Sequence, residues 1–128
     1  GVDVRRINML LAVLERRAGF KLGQKDVFLN MAGGLKVNDP ACDLAVVAAV
    51  LSSNFDYSLP SDVCFAGEVG LSGEIRPVSQ AERRATEAAR VGFKRIFVSS
   101  YTHFDKKPQG IDVVKVADIP ALVRSLFK

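Results

Sequence analysis

The segment SQAERRATEAARVG, residues 79–92, leading almost at once into KRIFVSS at 94–100, constrains the fold more than any other part of the chain. Ala81, Ala85, Ala88 and Ala89 fall on one helical arc, while Arg83, Glu87 and Arg90 project the other way. A buried face made of alanine has no bulk to hold the helix away from its neighbour, so it must press closely against a sheet. KRIFVSS supplies a strand for that sheet, and Gly92 ends the helix before it. Ser79 followed three residues later by Glu82 predicts a capping box at the helix start.

The remaining segments extend the same pattern. DVCFAGEVG, 62–70, reads as one strand; LSGEIRPV then gives a tight turn at Gly73 and a short returning strand ending near Pro77. DVVKV, 112–116, predicts a further strand, and DIPALVRSLF a closing helix capped by Asp118. Between them YTHFDKKPQG, 101–110, is a polar, lysine-bearing loop expected to be exposed. Upstream, VRRINMLLAVLERRA, 4–18, places Val4, Ile7, Leu10, Leu11, Leu14 and Ala18 on one helical arc that Gly19 can end, and DVFLNMAG, 26–33, reads as a strand turned by Gly33 and Gly34. In NDPACDLAVVAAVLSS, 38–53, Asp39 can cap and Pro40 can open a helix over 40–53, with Leu44, Val47, Ala48 and Leu51 on one face and Val46 and Val50 widening it. Asp43 in its first turn suits the positive helix end and is placed to hold the preceding loop. The expectation is an α/β domain over 1–128, a mixed α+β sheet with packed helices, with at least four strands, four helices and some parallel pairing.

The composition, 48% hydrophobic and 25% charged, is that of a soluble domain, and its apolar runs break before the length a membrane span needs. GVDVRRIN lacks the layout of a signal peptide and an initiator Met, so a cytoplasmic piece of a longer protein is expected. Cys42 and Cys64 form no C-x-x-C pair and His103 stands alone, so no metal site is expected in this chain; both cysteines read as buried free thiols. MAGGLK and GEVGLSGE match neither phosphate-binding glycine pattern, which argues against ATP hydrolysis by this chain.

The net charge of +4 is unevenly placed. Arg5 and Arg16 form a stripe on the first helix, broadened by Arg6 and Arg17; Arg83 and Arg90 share a face of the later helix, with Arg84, Lys94 and Arg95 nearby. Such residues can contact phosphates without reading sequence. The plainer alternative is a solvated face, partly neutralised by pairs such as Arg83 with Glu87. No aromatic set interleaves with the charges, Tyr101 and Phe104 in the loop being the modest exceptions, so base stacking has little support.

The phrases GFKLGQKDVFLNMAGGLKVNDPACDLAVVAAVLSS and FAGEVGLSGEIRPVSQAERRATEAARVGFKRIFVSS, with MLLAVLERRAG before them, cover most of the chain. In this order they resemble the proteolytic domain of the Lon family. They are closer still to the Lon-like C-terminal domain of the RadA (Sms) family of bacterial DNA repair and recombination proteins. The resemblance implies a Lon proteolytic-domain-like fold of the ribosomal protein S5 domain 2-like kind. It also implies that the serine and lysine of a Lon dyad would fall at Ala41 and Glu82, where neither chemistry survives. Cys42 lies about 100° further round the helix, Arg83 stays protonated, and nothing in the spacing of Ser72 and Lys36 requires them to meet. No catalytic residue is therefore expected.

For the longer protein the family implies a zinc module, a RecA-like ATPase using ATP and magnesium, a hexameric ring, single-stranded or branched DNA as partner, and the recombinase RecA as a further one. The zinc cysteines and the family's K-N-R-F-G motif are absent from these residues. The expected role is a non-catalytic DNA-binding and oligomerisation scaffold domain. The alternatives are a ring-assembly domain without DNA contact, and a Lon-like peptidase with a displaced dyad.

Overall fold

The computed structural model describes residues 5, 8–10, 12–13 and 40–127. The strand expected at 26–33, the glycine pair at 33–34 and most of the first helix lie outside these residues, as do Arg6, Arg16, Arg17 and Asp39. Residues 8–10 and 12–13 are helical, with Leu10 and Val13 buried and Arg5 exposed.

Helix α1, Asp43–Phe55, follows a 3-10 turn at Pro40–Cys42. Then come strands β1, Val63–Ala66, β2, Glu68–Val69, and β3, Ile75–Arg76, helix α2, Ala81–Arg90, strands β4, Arg95–Ser99, and β5, Asp112–Val116, and helix α3, Ile119–Leu126. β1, β4 and β5 form a parallel sheet with β4 central, in the register Phe65 beside Phe97 beside Val114. β2 and β3 form a separate antiparallel hairpin, turned at Gly73 with φ 83°.

The expected single strand over 62–70 is broken, and Gly67 is the reason. Its N–H donates to the Ala41 carbonyl at 3.1 Å and its own carbonyl accepts from the Leu44 N–H at 3.1 Å. The chain leaves the parallel sheet there to satisfy the start of α1, whose first amides have no partner within the helix. A Cβ at Gly67 would lie 3.1 Å from both Leu44 Cδ2 and Ile75 Cγ2, so any larger residue would have to push these side chains aside.

Strand alternation sorts the core onto two faces of the sheet. On one, Val63, Phe97 and Val116 pack with Leu44, Val47 and Leu51 of α1, Ile119 and Leu122 of α3, and Leu10. On the other, Ala66, Ile96 and Val98 pack against Ala85, Ala88 and Ala89 of α2. Phe104 and Ile111, from the segment joining β4 to β5, belong to this second cluster. The outer layer on that face is therefore α2 together with the 101–111 loop. The alanine face of α2 does what its composition required, and the cationic loop is seated beside it.

Candidate nucleic-acid interface

The residues matched to a proteolytic dyad are committed elsewhere. Ala41 lies in the 3-10 turn, 4% exposed, with its carbonyl bonded to Gly67. The α-helix begins three residues later than expected, with Cys42 as N-cap and no side-chain capping bond. Asp43 is fully buried, and its Oδ2 accepts the Val69 N–H at 3.0 Å. It thus holds the downstream strand β2, whereas the sequence pattern assigned it to the loop before the helix.

Glu82 sits in the first turn of α2, half-buried, and its Oε1 accepts the backbone N–H of Lys106 at 2.7 Å. The capping box with Ser79 does not form. The N-cap is Gln80, in the left-handed conformation at φ 57°, without a side-chain cap bond, which leaves Ser79 outside the helix. Arg84 closes the gap instead, its Nε donating to the Ser79 carbonyl at 2.9 Å. Glu82 is thereby free to tie the loop to the helix through a charge-assisted bond.

That tie decides which basic residues come together. Arg83 follows Glu82 directly and is exposed, and Lys106 and Lys107 are exposed on the tethered loop. At the other end of the layer Lys94 and Lys107 line one hollow with Gln109 and Asp112. Arg83, Lys94, Lys106 and Lys107 carry no ion pair among the described residues. Arg90 differs: its Nη2 and Nε donate to Glu87 Oε2 at 2.7 and 3.2 Å. The neutralising pair is thus Glu87 with Arg90, not the expected Arg83 with Glu87. Arg95 is only half-exposed, its guanidinium 5.7 Å from the centre of the Phe97 ring, and Arg84 is occupied at the helix start.

Sequence reasoning did not single out Lys106 and Lys107, although the KK pair in an exposed loop was visible. What it lacked was the long-range bond from Glu82 and the burial of Phe104, which fold the loop back over the sheet. Phe104 is not a fully exposed loop aromatic: it is half-buried and packs against the second core cluster, with the Lys115 ammonium 5.8 Å from its ring centre.

Cys42 and Cys64 are free thiols but half-buried, not buried, and desolvation pushes the Cys64 thiol up to about 11. Among the described residues, no group of three or more His, Cys, Asp or Glu side chains could hold a metal ion. None of the described helices is long and apolar enough to cross a membrane.

The family model described as subunit ChlI of Mg-chelatase matches residues 4–102. The chain is 44% identical over 127 residues to the DNA repair protein RadA of Bacillus subtilis (strain 168), covering 98% of this chain and 28% of that protein. It is 44% identical over 128 residues to the DNA repair protein RadA of Pseudomonas aeruginosa, covering 100% of this chain and 28% of that protein. Identity to the DNA repair protein RadA of Escherichia coli (strain K12) is 43% over 116 residues, or 91% and 25% of the two chains. The chain thus spans little more than a quarter of the length of these relatives.

Proposed function

Because this chain belongs to the family described as subunit ChlI of Mg-chelatase, and is homologous over nearly its whole length to bacterial RadA proteins, we propose that it is a non-catalytic DNA-contacting domain of a DNA repair protein. The observation that carries this reading is one solvent-facing layer, α2 plus the 101–111 loop, with Lys94 of the α2–β4 link at its edge, on which Arg83, Lys94, Lys106 and Lys107 form no ion pair among the described residues. Cations held on a fixed surface replace the counterions of a polyphosphate, and the release of those ions drives binding without regard to sequence. The layer offers donors to phosphates, which position a strand without reading its sequence.

Peptide hydrolysis is not part of the proposal. Ala41 has no atom with which to attack a carbonyl, and the Glu82 carboxylate is engaged by a backbone N–H. Nor is the chelatase of the family description carried over, since relatives matched along almost the entire chain are named for DNA repair. The Lon-like fold, assembly into a ring, the RecA partnership, and a zinc module and ATPase elsewhere in the longer protein rest on the family resemblance. They are proposals of the same standing.

Fluorescence anisotropy with a labelled single-stranded oligonucleotide, across a salt series starting low, tests the reading. Binding should weaken steeply as salt rises, and Arg83→Glu combined with Lys107→Glu should weaken it further and flatten the salt dependence while leaving the circular dichroism spectrum unchanged. Absence of binding at the lowest salt, or binding indifferent to both substitutions, would overturn it.

A further inference from the structure

Tyr101 is 72% exposed, the most exposed large hydrophobic side chain among the described residues, yet its backbone is firmly held. Its N–H donates to Ser99 Oγ at 3.1 Å, and that fully buried hydroxyl donates to the Ile75 carbonyl at 2.8 Å. On either side, the Ser100 N–H donates to the Val116 carbonyl at 2.9 Å and the Thr102 N–H to the Ser99 carbonyl at 3.0 Å. β3, β4 and β5 therefore all fix the point from which the ring projects. The loop treats its two aromatic residues differently: Phe104 is half-buried against the second core cluster and Tyr101 is presented to water.

We infer that Tyr101 is a stacking platform for an unpaired base of a single strand whose phosphates lie on Lys106, Lys107 and Arg83. This rests on the DNA-contacting reading above and names one residue of that surface. Charge complementarity selects the occupant. The loop after Tyr101 carries Lys106 and Lys107, and the Glu82 tie brings it against the start of α2 beside Arg83. Tyr101 opens the loop that carries Lys106 and Lys107, and an aromatic ring near phosphate-binding cations is the arrangement that holds single strands, because every base has a π-face. A ring on an immobile backbone loses little conformational freedom when a base covers it.

The test uses this chain with two strands of equal length, an oligothymidylate and an abasic oligomer. Tyr101→Ala should weaken oligothymidylate binding about tenfold, leave the salt dependence unchanged, and leave the abasic strand unaffected. The chain contains no tryptophan, so Tyr101→Trp installs a single reporter whose fluorescence should be quenched by oligothymidylate and not by the abasic strand. If Tyr101→Ala binds both strands like the unmodified chain while Arg83→Glu weakens both, stacking is refuted and the phosphate-binding surface stands. If neither strand binds at low salt, the DNA reading falls and takes this inference with it. A reporter signal that changes with protein concentration in the absence of DNA would refute stacking by assigning the ring to a contact between copies.

Discussion

Replacing Glu87 with glutamine should make this domain bind single-stranded DNA more tightly, and the size of the gain follows from the charges on the α2 layer. Arg83, Lys94, Lys106 and Lys107 are exposed and form no ion pair among the described residues, whereas Arg90 is held by Glu87 at 2.7 Å. If each free cation takes one phosphate, the logarithm of the binding constant should fall against the logarithm of salt with a slope of about −2.8, at roughly 0.7 per contact on a single strand. Raising salt from about 50 to 200 mM then costs about fiftyfold in affinity. Glu87→Gln releases Arg90 as a fifth contact, so the slope should steepen to about −3.5 and the same change in salt should cost about 130-fold. Both partners are largely solvated, so losing the pair should change folding stability by no more than about 0.5 kcal/mol. Anisotropy at several salt concentrations measures both slope and affinity. The two companions are Arg83→Gln, expected near −2.1, and Arg90→Gln, expected to stay close to the unmodified slope because that charge is already neutralised. An Arg90→Gln variant that loses as much slope as Arg83→Gln, or a Glu87→Gln variant with no gain, would refute this accounting of the surface.

Other expectations concern the parts that hold the layer in place. Glu82→Ala should remove protection of the Lys106 amide from hydrogen exchange and hasten tryptic cleavage after Lys106, whereas Glu82→Gln, which keeps an acceptor oxygen, should do so less. Gly67→Ala should cost about 1–3 kcal/mol in urea unfolding, because the new methyl meets Leu44 and Ile75 in a filled core. Burial raises the Cys64 thiol from 9.0 to about 11, so between those values the unfolded thiol ionises while the folded one does not. Stability should fall as pH rises through that window, and Cys64→Ala should flatten that part of the urea-midpoint profile.

Local signals in the sequence were reliable where local chemistry decides the outcome. Asp118 caps α3, its Oδ1 accepting the Ala121 N–H at 2.9 Å, and Gly73 and Gly92 take the positive φ that their turns require. β4 and β5 lie where the apolar runs put them, and they pair in parallel as the order of elements implied. Two of the failures share a cause, namely bonds between residues far apart in the chain. A strand pattern over 62–70 contains no sign that Gly67 will serve α1, and a Ser–x–x–Glu pattern none that the glutamate will be drawn to a loop 24 residues on. The arginine pairs were legible as charge, but which of them keeps its charge was not. Glu87 stands four residues from Arg83 and three from Arg90, and both spacings allow a pair.

The first turn of α2 links the position matched to a dyad lysine to the proposed surface. A lysine at position 82 would have offered an ammonium; the glutamate present offers an acceptor, and it accepts from the Lys106 backbone N–H. An acceptor there suits the helix as well, since a carboxylate in the first turn faces the positive end of the helix dipole. The bond leaves the Lys106 side chain exposed while it seats the loop, so one negative charge organises several positive ones. Without that tie, Lys106 and Lys107 would belong to a twelve-residue connection between β4 and β5, and binding DNA would first require ordering it. With it, Phe104 and Ile111 stay packed on the sheet, and the cations are in place before any ligand arrives. On the proposed reading, the glutamate at the position matched to a dyad lysine is the residue that assembles the DNA-contacting layer.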